Sequence, residues 1–278
     1  MFKIIRKKQL NESTFSMTVH APLVSQNIKP GQFVMIMTDE NSERIPLTIS
    51  DFNREEGSVT VVFQAIGAST IKLSSKNEGE EIAHFAGPLG AATELENITN
   101  ACVIGGGVGC AIALPQAKWL KNHGAEVELI AGFRSKDIVI LEEEMKSASD
   151  KCIICTDDGS YGVKGFVTNV LRDNIENGKK YDCVIAIGPV PMMKAVADIT
   201  KEYGIKTIVS LNPIMIDGTG MCGGCRVTVD GKVKFACVDG PDFDGHKVDF
   251  NELMIRNSMY KKQEEKAKAH ACRLFGGK

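Results

Sequence analysis

Asp217, Cys222, Cys225 and Cys237 stand in one short stretch, DGTGMCGGCRVTVDGKVKFAC, spaced Asp-x4-Cys-x2-Cys-x11-Cys. Three thiolates and a carboxylate gathered in this way can hold zinc or an iron–sulfur cluster. Gly218, Gly220, Gly223 and Gly224 lie between the first three. Glycines let a backbone wrap closely around a metal centre without Cβ clashes. After Cys225, RVTVDGKVKFAC reads as a β-hairpin turning at Asp230-Gly231, a type I′ pair. That hairpin returns Cys237 toward Cys222 and Cys225. Iron–sulfur clusters are usually held by four cysteines. Here Asp217 takes the first position, and a carboxylate, though harder than a thiolate, can bind iron. Cys272 could supply a fourth thiolate, but it sits near the end of a charged tail, so Asp217 is preferred. Buried cysteines of an ordinary hairpin are the competing reading, and the short spacing and dense glycines argue against it.

The elements that would position this stretch follow from composition and pattern. The chain has 278 residues, 43% hydrophobic and 24% charged, with a formal charge of −2. That is a soluble globular composition with room for two domains, or two and a small one. It offers no electrostatic case for nucleic acid. No apolar run reaches the length of a bilayer span, and MFKIIRKKQLNE lacks a signal-peptide core. Nine cysteines without an export signal point to a reducing, cytoplasmic setting.

Residues 1–97 alternate as β-strands do, at Thr14–His20, Phe33–Met37 and Ser58–Ala65 for example. They predict a small antiparallel barrel. Within it, Arg44-Ile45-Pro46-Leu47-Thr48-Ile49-Ser50 puts a cation, a proline and two hydroxyls on alternating positions, hence on one face. Such a face suits a phosphate and an aromatic ring, and equally an exposed surface strand. Gln64-Ala65-Ile66-Gly67-Ala68-Ser69-Thr70 runs from a strand into a helical turn, the layout of an anion site at a helix N-terminus. Plain capping by Ser69 or Thr70 would look the same. Together the two stretches favour a bound dinucleotide.

From about Asn100 the pattern becomes strand–helix–strand. Ala101–Ile104 is an apolar strand, Gly105-Gly106-Gly107-Val108-Gly109 a tight loop, and Cys110–Asn122 a helix. This is a phosphate-binding turn opening a parallel αβ unit, although Cys110 stands where the usual fingerprint has its third glycine. Further strands are expected at Glu126–Ala131, Lys151–Thr156, Cys183–Ile187 and Thr207–Ser210. Helices are expected at 138–147, 165–177 and 191–203. Ligands bind at the carboxyl ends of such strands, where Asp157, Asp158, Gly188, Pro189 and Met192 fall. Cys152 and Cys155 lie within a strand and read as core, as do Cys102 and Cys183. Residues 251–278 predict a short helix with a partial apolar stripe (Leu253, Met254, Met259, Tyr260) and a charged tail able to dock a partner.

RIPLTIS, QAIGAST, GGGVG, DDGSYGVKG, AIGPVPMM, DGTGMCGGC with Cys237, and DGHKVDFNELMIRN occur in that order over essentially the full length. The chain thereby resembles the ferredoxin–NADP reductase superfamily, in the branch of the dihydroorotate dehydrogenase electron-transfer subunit. Asp217 in place of a cysteine points within it to the ferredoxin:NADP oxidoreductase relatives. The resemblance implies an FAD-binding barrel at 1–97 and an NAD(P)-binding α/β domain at 98–212. A [2Fe–2S] hairpin at 213–250 and a helical tail at 251–278 would follow. FAD would lie along Arg44, Pro46, Leu47, Thr48 and Ser50, with Gln64, Ile66, Gly67, Ser69 and Thr70 toward its pyrophosphate. A nicotinamide nucleotide would sit near Gly105, Gly107, Val108, Gly109, Asp157, Asp158, Gly188, Pro189 and Met192. The cluster would rest on Asp217, Cys222, Cys225 and Cys237. The implied partner is a large flavin and [4Fe–4S] subunit resembling the glutamate synthase small subunit, with ferredoxin reached through the complex. NADH is expected and NADPH stays open, because Arg134 and Lys136 are basic while Asp157 and Asp158 lie one strand on. Hydride transfer needs no acid–base residue, so none is assigned. The rivals are a dihydroorotate dehydrogenase electron-transfer subunit and a zinc-holding, nucleotide-sensing module.

Overall fold

The two-residue alternation of the first third builds an antiparallel sheet. The structure is a computed structural model describing residues 1–275; residues 276–278 of the expected tail lie outside the described residues. The first sheet comprises β1 (Phe2–Gln9), β2 (Thr14–His20), β3 (Phe33–Met37), β4 (Arg44–Asn53), β5 (Ser58–Gln64), β6 (Glu81–Ile82) and β7 (His84–Leu89). Helices α1 (Pro22–Asn27) and α2 (Ala68–Ser74) are interspersed. The strand order is β6-β1-β2-β5-β4-β3-β7. Only Ala83 separates β6 from β7, so the two edges are one continuous run and the sheet comes round on itself as a near-barrel. Val19, Val34, Ile36, Val61 and Phe63 fill its interior.

The second sheet is doubly wound. Its elements are β8 (Asn100–Gly106), α3 (Gly109–Asn122), β9 (Glu126–Phe133), α4 (Glu142–Ala148), β10 (Lys151–Thr156), β11 (Val163–Lys164), α5 (Val167–Glu176), β12 (Cys183–Ile187), α6 (Val190–Glu202) and β13 (Lys206–Ser210). Hairpin β14 (Arg226–Val229) and β15 (Lys232–Phe235) follows, then β16 (Asp242–Asp244), α7 (Phe250–Asn257) and α8 (Lys261–Phe275). The order β11-β10-β9-β8-β12-β13-β16 is parallel except for the antiparallel β16. Consecutive strand residues feed two different cores. Ile104, Ile130 and Ala186 face one, Val103, Leu129 and Ile185 the other, as expected of a sheet covered by helices on both faces. The first of these cores also takes Phe33 and Met35 from the near-barrel, Cys225 and Cys237 from the hairpin and Leu253 from α7.

Several expectations are corrected. The expected helix at 138–147 is split: Lys136–Ile138 is a 3-10 turn and α4 begins at Glu142, because Leu141 is left-handed at φ 54°. The short helix and charged tail are two helices, α7 and α8. KKQEEKAKAHACRLF contains strong helix formers but little apolar patterning to announce it. The expected stripe divides: Leu253 is buried, while Met259 and Tyr260 are exposed beyond the end of α7. The segment after the hairpin returns to the large sheet as β16, three residues with two aspartates and thus no sequence signature of a strand. Cys102, Cys155 and Cys183 are buried in the sheet as expected. No helix among the described residues is long and apolar enough to cross a membrane.

One buried acid ties the segment between the two sheets to the second of them. The Thr93 hydroxyl, in the connecting segment, donates to Asp242 Oδ2 at 2.5 Å. Asp242 Oδ1 and both amide atoms of the fully buried Gln116 lack partners. Burial raises the Asp242 carboxyl above its usual range, and the hydrogen bond from Thr93 offsets this only in part. A raised folded-state pKa contributes stability that is complete at low pH and lost as pH climbs through the folded value. Asp242→Asn is therefore expected to gain stability relative to the parent as pH rises from about 4 toward 8. Chemical denaturation across that range checks it; a constant difference would contradict it.

Candidate functional site

Antiparallel register decides which face each candidate occupies. Met37 pairs with Arg44, Met35 with Pro46 and Phe33 with Thr48. Directly paired residues share a face. Ile45 and Leu47 pack on the interior with Val34 and Ile36, so Arg44, Pro46 and Thr48 form an outward row. Leu47 was expected along the same ligand, but its side chain belongs to the barrel core; only its backbone can line that face. Ser50 is buried where the ladder to β5 shifts register, and so leaves the row.

Beside this row, Gly67 opens α2. Its N–H donates to the Thr70 hydroxyl at 3.1 Å, and that hydroxyl donates back to Gly67 O at 3.0 Å. The Ser69 hydroxyl donates to Glu43 at 2.7 Å. Thr70 thus caps its own helix, and Ser69 is directed at a carboxylate. Gln64 closes β5, and Ile66 is exposed between the two elements.

The glycine-rich turn lies between β8 and β12, where the strand order reverses and α/β sheets bind ligands. It is tighter than the sequence implied, because β8 runs through Gly106 and α3 starts at Gly109, leaving Gly107 and Val108 as the turn. Gly107 has φ 57°, and a Cβ there would meet nothing within 4 Å. It faces an open cradle. Gly105 and Gly109 are packing glycines instead: a Cβ would stand 2.6 Å from Cys110 Cα in the first and 2.1 Å from Ile187 O in the second. Met192 lies over Gly106 and Gly188, whose added Cβ atoms would come to 2.6 and 2.8 Å from its side chain. Pro189 caps α6. At the end of β10, Asp158 accepts from the Ser160 N–H and hydroxyl at 2.9 and 2.7 Å, bonds that hold its carboxyl below the usual range. Asp157 is exposed beside it.

The cysteine stretch forms two pairs. Asp217 accepts from the Cys222 N–H at 2.8 Å and from the Thr219 backbone N–H and hydroxyl. The Cys222 thiol and these donors hold its carboxyl well below the usual range. Cys225 and Cys237 form the second pair, both buried; burial, then the neighbouring Cys225, pushes the Cys237 thiol up to about 12. Backbone N–H groups point at sulfur: Gly224 to Cys222 and Cys237 to Cys225, each at 3.4 Å. Gly218, Gly220 and Gly223 are left-handed at φ 81°, 86° and 65°, which accounts for the glycine density. Among the described residues no group of three or more His, Cys, Asp or Glu side chains is arranged to hold a single metal ion. Sequence reasoning did not single out two supporting side chains. Arg256 donates to Gly224 O at 3.1 Å and Asn257 to Asn212 O at 3.2 Å, tying α7 to both sides of the stretch. Both lie in the DGHKVDFNELMIRN motif, but nothing in that motif shows that α7 returns to the cysteines.

Residues 212–249 match the model of the iron–sulfur cluster binding domain of dihydroorotate dehydrogenase B. The chain is 46% identical, over 95% of its length and 93% of the relative's, to a dihydroorotate dehydrogenase B (NAD(+)) electron transfer subunit homolog of Thermotoga maritima. The chain belongs to that family. Another relative, an uncharacterised protein of the adh 3′ region of Clostridium beijerinckii, is 52% identical over 96% of this chain and 93% of its own. Among solved structures, one of NADH-dependent reduced ferredoxin-NADP oxidoreductase, determined for insight into flavin-based electron bifurcation, superposes with a TM-score of 0.92. It is 43% identical and covers 97% of both chains. Members of the dihydroorotate dehydrogenase B electron-transfer family are oxidoreductase subunits working within larger complexes. This chain is such a subunit, on a ferredoxin-reductase-like fold that binds flavin and nicotinamide and carries an iron–sulfur segment.

Proposed function

We propose that this subunit passes electrons between NADH, an FAD on the near-barrel and a [2Fe–2S] cluster on Asp217, Cys222, Cys225 and Cys237. The other end of the relay is a large flavin and [4Fe–4S] subunit of an electron-bifurcating ferredoxin:NADP oxidoreductase. One observation supports this reading: the donors stand in two pairs, an outer one in which Asp217 accepts from the Cys222 N–H and a buried one in which the Cys237 N–H points at the Cys225 sulfur. Two pairs suit two irons, whereas one zinc ion takes four convergent ligands. Backbone N–H groups already directed at Cys222 and Cys225 would stabilise bound thiolates, so the donor set fits the cluster.

The outward row of Arg44, Pro46 and Thr48, with the turn at Gly67, Ser69 and Thr70, fits a flavin and its pyrophosphate. The open cradle at Gly107 fits the phosphates of a nicotinamide nucleotide. When bound, the flavin exchanges two electrons with nicotinamide and single electrons with the cluster, so it belongs between them. The protein's part is positional. Met192 and the packing glycines shape the nucleotide floor, and the wall of β3 and β4 holds flavin beside cluster. Functional division at 1–97, 98–212, 213–250 and 251–278 follows this assignment. Nine cysteines, none in a disulfide, fit a reducing cytoplasm.

Met221, Ile216 and Val238, near the outer pair in the chain, are exposed, as are Ile255 on α7 and Met259 and Tyr260 beyond it. Apolar surface of this kind supports partner docking. A dihydroorotate dehydrogenase complex is the second reading, favoured by the names of the relatives; co-purification with a dihydroorotate-oxidising chain would select it. Anaerobic visible spectra before and after NADH, with NADPH in parallel, test the relay. Bleaching of flavin and iron–sulfur absorbance by NADH is expected. A colourless, zinc-containing protein would overturn it.

A further inference from the structure

We propose that Met35 seats the Asp217 loop on the wall of the near-barrel and so fixes the spacing between the cluster and the flavin face, an inference that rests on the function proposed above. Met35 is the direct strand partner of Pro46 and faces outward with it, while its neighbours Val34 and Ile36 point into the barrel. An outward side chain on a barrel is normally wet, yet Met35 is only 2% exposed. What covers it is Gly218, the residue after Asp217. A Cβ on Gly218 would lie 2.6 Å from Met35 Cγ, 3.1 Å from its Sδ and 3.1 Å from Leu89 Cδ1. Gly218 is left-handed at φ 81° and shows no side chain to Met35, so the loop backbone rests directly on the thioether.

Neighbouring strands lie about 4.8 Å apart. The row under the loop (Met35) and the row assigned to flavin (Pro46) are therefore one strand spacing from each other. Methionine suits the position because its unbranched, flexible chain fills the irregular gap under a loop, where a β-branched residue would push a methyl group toward Gly218. Met35 also belongs to the same apolar core as Cys225 and Cys237. Met35 is a positioning residue: it acts on the cluster through Gly218 and Asp217.

Met35→Ala and Met35→Leu in the full chain, purified anaerobically with FAD and iron counted per chain, test this. Met35→Ala is expected to keep FAD and its reduction by NADH, while the electron paramagnetic resonance spectrum of the reduced cluster shifts or broadens. Electron passage from flavin to cluster should slow several-fold as the spacing between them loosens. Met35→Leu, similar in volume, is expected to restore both. An unchanged spectrum and rate in Met35→Ala would overturn the proposal and leave Met35 as packing. So would loss of FAD together with iron in both variants, which marks general unfolding. If the unsubstituted protein shows no iron–sulfur signal, it is the proposed function that fails.

Discussion

Cys225→Ser is expected to strip iron from the protein while FAD stays bound. Cys225 is the inner member of the buried pair, 1% exposed, and accepts the Cys237 N–H at its sulfur. Serine keeps the shape but offers an oxygen that is protonated at neutral pH and a poor match for iron. In the proposed ligand set Asp217 is already one hard donor, so a second oxygen would leave only two thiolates. Removing an outer-sphere partner of a metal site typically costs about 10- to 100-fold in affinity, and losing a ligand itself should exceed that. The expected result is loss of the cluster's visible and paramagnetic signals with flavin content unchanged. NADH should still reduce the flavin, while electron delivery to a one-electron acceptor collapses. Iron analysis beside flavin analysis checks it; full iron occupancy in the variant would remove Cys225 from the ligand set.

Gly109→Ala should be strongly destabilising, whereas Gly107→Ala, two residues earlier, should cost less stability and more nucleotide binding. A Cβ at Gly109 would stand 2.1 Å from Ile187 O and 2.7 Å from its carbonyl carbon, backbone atoms of a buried strand that cannot step aside. Overpacking of this kind costs about 3 kcal/mol, or roughly 6–12 °C in melting temperature at about 2–4 °C per kcal/mol for a chain of this size. At Gly107 the added atom meets open space, and only the left-handed backbone resists, at about 1–2 kcal/mol. That methyl group would project into the proposed phosphate cradle. Gly107→Ala should therefore raise the KM for NADH while kcat holds. Thermal melts of both variants with NADH titrations separate the two roles; equal melting temperatures would contradict the packing argument.

The sequence by itself determined the elements whose chemistry is local. Strand alternation, the Asp230-Gly231 turn, the Asp-x4-Cys-x2-Cys-x11-Cys spacing and the glycine turn after an apolar strand are short-range patterns, and each appears in the structure near its expected place. The family was legible because its motifs lie in order along the chain. Facing was less legible. The period of two put Arg44, Pro46 and Thr48 on one side, but Leu47 enters the barrel core because it pairs directly with the inward-facing Val34.

Only the tertiary structure decided which glycines pack and which cradle, since that depends on Ile187 and Met192, far away along the chain. It alone turned Asp242-Phe243-Asp244 into a sheet edge and placed the carboxyl of Asp242 beside Thr93 and Gln116. It alone brought Met35 beneath Gly218 and returned Arg256 to Gly224. These contacts join residues tens to hundreds of positions apart, and no local propensity or spacing encodes them. They arise because one apolar core is shared by the barrel wall, the sheet and the cysteine hairpin, and burying it sets where each part must sit.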